Sequence, residues 1–255
     1  MKHYSVQERR DKIIDILNEE GRVYVNKLSE IFGVSSVVIR TDLAELERLD
    51  LLSRVHGGAI TSYKSYCDMN LIQRSNINLK EKNAISQKVK ELVKDHDTLM
   101  MNAGTTPLFV MRAIWERKVT IVTNSIAMAL EGAKNPNFKI ILLGGDVDPD
   151  YQFTYGVSVL KELSQYSAST LILSVDGIDP EDGISTFYYH EAEVCRKMIE
   201  RSGKVIIAAD DSKIGRTAFS QIDSLQSVDA IVTNKKASDN HLESLKELGI
   251  EIIIA

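Results

Sequence analysis

The run Gly33-Val34-Ser35-Ser36-Val37-Val38-Ile39-Arg40-Thr41-Asp42-Leu43-Ala44-Glu45-Leu46-Glu47-Arg48-Leu49 decides how the first part of the chain folds. Ser35 is of a helix-capping type, and Ile39, Leu43 and Leu46 follow at the i, i+4, i+7 spacing of an amphipathic helix. The opposite face carries Ser36, Val37, Arg40 and Thr41. A helix that buries one side and offers small residues plus an arginine in its first turns suits the major groove of DNA. There the opening turns of a recognition helix meet base edges.

Upstream, residues 6–20 carry an apolar stripe of Ile13, Ile14, Ile16 and Leu17, and Gly21 closes the pattern as a C-terminal cap would. A second helix begins near Asn26, with Val25, Leu28, Ile31 and Phe32 inward, and Gly33 makes the tight turn into the third. Downstream, Leu51-Leu52-Ser53-Arg54-Val55-His56-Gly57-Gly58-Ala59-Ile60 is a short extended segment broken by two glycines. Three helices and a β-wing predict a winged helix-turn-helix over residues 1–60, with Arg54 and His56 placed to touch the backbone or minor groove. A small protein-interaction domain is the alternative for the same helices.

Bulk charge argues against nucleic acid. The formal net charge of the 255 residues is −5, and the first sixty hold 9 Lys/Arg against 10 Asp/Glu. Phosphate affinity rests on Lys and Arg, so only their distribution favours DNA: Lys2, Arg9, Arg10, Arg22, Lys27, Arg40 and Arg54 fall at element ends or on polar faces. With 44% hydrophobic and 26% charged residues, the composition is that of an ordinary globular protein. Cys67 and Cys195 give neither a metal spacing nor a disulfide framework, so no metal or cofactor is expected and a reducing cytoplasm fits. Both are read as packed small hydrophobes rather than a redox pair. No apolar run approaches the roughly 20 residues of a membrane span, and the first ten residues lack the apolar core of a signal peptide.

Residues 61–78 lose periodicity and read as a linker, with Tyr63, Tyr66 and Met69 scattered among polar residues. From 79 to 255, short β-branched apolar strands alternate with helices, which predicts an α/β domain with a mainly parallel sheet covered on both faces. Ligands in such sheets bind at the carboxyl ends of the strands, and the polar residues gather there. Asn102-Ala103-Gly104-Thr105-Thr106-Pro107 follows one strand, Asn124-Ser125 the next, and Gly144-Gly145 a third; Asp176-Gly177 and Asp210-Asp211-Ser212-Lys213 end two more. Gly104, Thr105 and Thr106 at a helix start, with Lys213, suit an anion; by itself a Gly-Thr-Thr turn is equally an ordinary cap. Carboxylates and amides for hydroxyls complete a pocket for a phosphorylated sugar or polyol.

These motifs carry a family resemblance. The pattern from Arg9 through Gly58, ending in Leu52-Ser53-Arg54-Val55-His56-Gly57-Gly58-Ala59, is similar to the N-terminal domain of the deoxyribonucleoside-regulator (DeoR) family of bacterial transcription factors. Gly104-Thr105-Thr106, Val122-Thr123-Asn124-Ser125, Gly144-Gly145, Asp176-Gly177-Ile178, Gly183-Ile184-Ser185-Thr186, Glu191-Ala192 and Asp210-Asp211-Ser212-Lys213 resemble that family's effector domain. The resemblance covers nearly the whole chain. It implies a Rossmann-like fold akin to ribose-5-phosphate and glucosamine-6-phosphate isomerases, and a sugar-phosphate-responsive regulator holding phosphate near Gly104, Thr105, Thr106 and Lys213.

Departures from the family pattern stand out. Val38 replaces a usual Thr or Ser and Thr41 a usual Arg, leaving more of the reading to Arg40; Asn102 stands for a usual Asp, Ala103 for a small polar residue, and Cys195 for a usual Lys. Aromatics crowd the variable edge: Tyr151, Phe153, Tyr155, then Phe187, Tyr188 and Tyr189 before His190. They suit either a stacked sugar ring or core and interface packing.

The expectation is a homodimer or homotetramer that grips double-stranded operator DNA through Ser35, Ser36, Val37, Arg40, Thr41, Arg54 and His56. Its effector is expected to meet Asn102, Gly104, Thr105, Thr106, Asn124, Ser125, Gly145, Tyr151, Asp176, Glu191 and Lys213. The rival is a sugar-phosphate isomerase with an appended interaction domain, for which Asp176, Glu191 and His190 are available by type. No catalytic residue is assigned.

Overall fold

The computed structural model describes residues 4–49, 51–55, 57–61, 69–235 and 237–255. The chain divides into two compact units, Met1–Leu79 and Lys80–Ala255.

In the first unit, helix α1 (Val6–Glu20) opens on a capping box: Glu8 N–H donates to the Ser5 hydroxyl, and Ser5 N–H to the Glu8 carboxylate. It stops at Gly21, whose φ of 73° is left-handed. Helix α2 (Val25–Phe32) ends on Gly33 at φ 64°, and α3 (Ser36–Arg48) starts from Ser35, whose hydroxyl accepts from Val38 N–H. Strands β2 (Leu52–Val55) and β3 (Gly58–Thr61) form the wing. A third strand, β1 (Arg22–Tyr24), pairs antiparallel with β3 and was not expected from the sequence. Three residues are too few for alternation to show. Gly58 is required there because a side chain would strike the Val23 carbonyl. Ile13, Leu17, Leu28, Ile39 and Leu43 form the buried core, as the helical spacings predict, and Leu52 of β2 joins them, whereas Ile31, expected inward on α2, is exposed.

Part of the stretch read as linker is helical. Helix α4 (Leu71–Asn76) opens on a reciprocal Asn70–Gln73 cap, buries Leu71 and Arg74, and belongs with the first unit. Ile77 is buried and lies where a side chain at Gly21 would have to go. Under two turns long, α4 leaves no periodicity to read. Residues 62–68, with Tyr63, Tyr66 and Cys67, lie outside the described residues.

The second unit contains α5 (Leu79–Lys90, its first residue counted with the first unit), β4 (Thr98–Met101), α6 (Thr105–Ala113), β5 (Val119–Thr123), α7 (Ile126–Gly132) and β6 (Phe138–Leu142). It continues with β7 (Asp146–Asp148), β8 (Phe153–Tyr155), α8 (Val157–Leu163), β9 (Thr170–Leu173), β10 (Gly177–Asp179), β11 (Gly183–Thr186) and α9 (Tyr189–Glu200). Then come β12 (Val205–Ala208), β13 (Ser220–Asp223), β14 (Ala230–Thr233), α10 (Asp239–Glu247) and β15 (Glu251–Ile254).

Seven strands pair in parallel in the order β15-β14-β12-β9-β4-β5-β6. Side chains alternate across the sheet: Leu99 and Met101 of β4 join one core layer with α5 and α6, and Met100 joins the other with α8 and α9. From β4 the chain builds outward through β5 and β6 on one side, then returns to build through β9, β12, β14 and β15 on the other. Such a reversal opens a crevice at the carboxyl ends of the strands. Two small antiparallel additions, β7-β8 and β10-β11-β13, rise from the loops.

Candidate functional site

On the first unit, α3 presents Val37, Arg40 and Thr41 exposed and Ser36 half-buried. The polar face expected from the spacing is therefore on the surface. Within it, Arg40 Nη1 lies 3.4 Å from Ser36 Oγ, while the Thr41 hydroxyl donates to the Val37 carbonyl at 3.0 Å and is turned back on its own helix. Ser35 is occupied as the cap. Arg54 lies exposed on β2, paired with Glu47 of α3 through Nε–Oε2 at 2.6 Å. That partnership had no signal in the sequence, since the pair joins a helix to a strand. Bonds from the Arg54 backbone and side chain, outweighing slight burial, hold the Glu47 carboxyl below the usual range. His56 lies outside the described residues.

Behind the reading face, Asp42 is buried and accepts from Arg9 Nε at 2.6 Å and Arg10 Nε at 3.0 Å. Two of the arginines counted as possible phosphate ligands are thus engaged in fixing α3 to α1.

On the second unit, the carboxyl ends of β4, β9 and β12 and the first turn of α9 bring Asn102, Asp176, Lys213 and Glu191 together, all buried. Asn102 Nδ2 donates to the Ser174 carbonyl at 3.0 Å and to Glu191 Oε1 at 3.1 Å, with Cys195 Sγ 3.6 Å away. Its Oδ1 accepts from Ser174 N–H at 2.8 Å. Thr186 Oγ1 lies 3.1 Å from Asp176 Oδ2 and 3.0 Å from Glu191 Oε2, and Phe187 N–H also donates to Asp176. Lys213 Nζ reaches Asp176 Oδ1 at 3.6 Å. Burial opposes ionisation of Asp210, yet the Lys213 and Lys82 ammonium groups and the Ser212 donors hold its carboxyl below the usual aspartate range.

Helix α6 starts in this crevice. Gly104 occupies its cap position and has no side chain with which to cap, and among the described residues no hydroxyl or carboxylate accepts from the first amides of the helix. With φ 176° the backbone is extended, and glycine is needed there for close approach: a side chain would strike Ser174 Oγ. Thr105 and Thr106 are buried in the first turn. Pro107 stands third in α6, still within its first turn, where a missing N–H costs no helical bond.

Two other expected effector residues, Asn124 and Ser125, are turned inward. Asn124 Oδ1 accepts from Ala103 N–H at 2.9 Å and its Nδ2 donates to the Thr154 carbonyl, while Ser125 caps α7 through Met128 N–H. Both brace the loops around the crevice. Gly145 is exposed and lies against the Tyr155 carbonyl, and the neighbouring Gly144 N–H donates to Glu162. Tyr151 is set back in a ring cluster, 4.5 Å from Tyr188. That cluster continues through Phe187 and Phe153, and Tyr155 stacks on His190 at 4.3 Å. Ser174 and Thr186, which hold the acids and the amide together, were not assigned as site residues; Ser174 sits in an apolar run that gave no signal.

Cys195 is fully buried. Burial, with the Glu191 carboxylate adding to it, outweighs the Asn102 bond and pushes the thiol well above its usual value. It is a neutral packed group, and two departures from the family pattern, Asn102 and Cys195, lie side by side.

Residues 9–64 match the DeoR-like helix-turn-helix domain, and residues 77–235 match the DeoR C terminal sensor domain. The chain belongs to the DeoR family. A putative aga operon transcriptional repressor of Escherichia coli O157:H7 is 31% identical to this DeoR regulator over 250 residues, covering 97% of this chain and 93% of that one. The glycerol-3-phosphate regulon repressor of Escherichia coli K12 is 32% identical over 246 residues, 96% of this chain and 97% of its own. Among solved structures, ribose 5-phosphate isomerase A of Methanocaldococcus jannaschii aligns over 53% of this chain and 54% of that one, at 13% identity and a TM-score of 0.40. The DeoR chain has a helix-turn-helix unit and an α/β sensor unit, and no described helix is long and apolar enough to cross a membrane.

Proposed function

We propose that this DeoR regulator is a cytoplasmic repressor of a carbohydrate-utilisation operon, released from its operator when a phosphorylated sugar or polyol binds the second unit. The observation that carries the reading is the polar cluster at the sheet reversal. There the uncapped start of α6, with Gly104, Thr105 and Thr106, shares one edge with buried Lys213, Asp176, Glu191 and Asn102. The helix start and Lys213 receive the phosphate and the carboxylates receive hydroxyls, with the Asn102 amide, its own bonds spent on Ser174 and Glu191, holding Glu191 in place. Asn124 and Ser125 shape the loops, and Gly145 and Tyr151 border the ligand from further out.

Ser35, Ser36, Val37, Arg40 and Thr41 face the major groove, and Arg54 and His56 the backbone. The active species is a homodimer or homotetramer, whose repeated reading helices match repeated half-sites. The names of the two relatives support a repressor of this kind, and the protein is a regulator with no enzymatic turnover. Effector binding works as a switch because it favours one placement of the DNA-binding units over another.

The test is anisotropy of labelled duplex from the DNA upstream of this gene, titrated with protein and then challenged with a panel of phosphorylated sugars and polyols. Salt-sensitive binding released by one compound is expected, and Lys213→Ala retains DNA binding but loses the release. Turnover of a sugar phosphate without binding to any upstream duplex overturns the reading in favour of an isomerase.

A further inference from the structure

Glu47 is out of place for a helix that meets DNA. It follows Arg40 by seven residues and Ser36 by eleven, which puts all three along one side of α3. A carboxylate there faces the approaching phosphates with the wrong sign. Its partner explains its presence. Arg54 N–H donates to Glu47 Oε1 at 2.8 Å and Arg54 Nε to Oε2 at 2.6 Å, so both carboxylate oxygens engage one residue of the wing. A guanidinium offers five N–H donors in a planar fork. This pairing uses the Nε edge, and among the described residues Nη1 and Nη2 of Arg54 donate to nothing. The side chains are exposed, 48% for Arg54 and 38% for Glu47, so the pair lies at the surface where wing and reading helix meet.

We propose that Glu47 is a positioning residue for DNA binding: it seats Arg54 by its Nε edge so that the Nη1/Nη2 edge receives a backbone phosphate. The inference rests on α3 and the wing being the DNA-binding face. Without Glu47 the arginine samples many rotamers and must be ordered on binding, which lowers affinity although a negative charge has been removed.

The experiment measures anisotropy of two duplexes, one from the DNA upstream of this gene and one of shuffled sequence and equal length, across a salt series. The proteins are the full chain and its Glu47→Ala, Arg54→Ala and doubly substituted variants. Glu47→Ala is expected to weaken binding to both duplexes by roughly three- to tenfold and to flatten the log–log salt slope by about one, as Arg54→Ala does. The double variant should match Arg54→Ala alone, and the melting temperature of Glu47→Ala should stay at the wild-type value. Tighter binding by Glu47→Ala overturns the proposal, as does an unchanged slope in Arg54→Ala or a Glu47→Ala loss that persists when Arg54 is absent. A loss that tracks a lowered melting temperature with an unaltered slope marks a merely structural role and overturns it too. Failure of the wild-type chain to bind either duplex removes the DNA-binding reading itself, an outcome separate from any of these.

Discussion

Asp42 and Glu47 stand five residues apart on one helix and do opposite kinds of work. Glu47 pairs at the surface, where ion pairs add little to stability. Asp42 is buried, and its two oxygens serve Arg9, itself buried, and Arg10. Removing one member of such a group strands a guanidinium in the interior, so Asp42→Ala is expected to destabilise the first unit by about 3–5 kcal/mol. Denaturant unfolding followed by helix signal tests this; a loss no larger than that of Glu47→Ala contradicts it. In the second unit, Asn102 shows why an amide differs from the acid usual in the family. Its Nδ2 donates to Glu191 at 3.1 Å, where a carboxylate would oppose another carboxylate. The neighbouring Cys195 supplies no compensating charge. Asn102 and Cys195 are thus mutually consistent, one hydrogen bond and one neutral group in place of two charges.

Among elements, the start of α6 is fixed by contact rather than by dihedral angle. Gly104 has an extended backbone that any residue can adopt, so the obstacle to a side chain is Ser174. Gly104→Ala is accordingly expected to cost about 1–3 kcal/mol through overpacking, with part of the loss recovered in Gly104→Ala/Ser174→Ala; chemical unfolding of the wild type, Ser174→Ala and these two variants decides it. Helix α3 was legible because thirteen residues give the apolar spacing room to repeat and Ser35 marks its start. Strands β1, β7, β8 and β10 are three residues each, and α4 is six, so pattern could not separate them from loop. The polar edge of the large sheet was legible because short apolar strands hand over abruptly to Asn, Thr, Asp and Gly. What each polar group faces was not: Asn124 and Ser125 are spent on neighbouring backbone, a matter of loop conformation that residue type does not encode.

For the molecule as a whole, acidity reaches stability through the second unit. The Asp210 carboxyl is depressed below its ordinary value, so its contribution is fully present above the unfolded pKa of about 3.9 and is lost as pH falls through the lower native value. Trp115, the single tryptophan, lies in that unit and reports its unfolding. The urea midpoint of its fluorescence is expected to fall on acidification, and less steeply in Asp210→Asn; equal slopes would remove Asp210 from the account. The border between the units also bears on how such proteins can be recombined. Ile77 is buried against the Gly21 position, Asn78 takes a left-handed φ of 50°, and Leu79 already begins α5. A chimaera that joins this reading head to a foreign sensor therefore has one natural seam, at Asn78. A seam placed earlier takes Ile77 from the head, and one placed later splits the first turn of a helix between two parents.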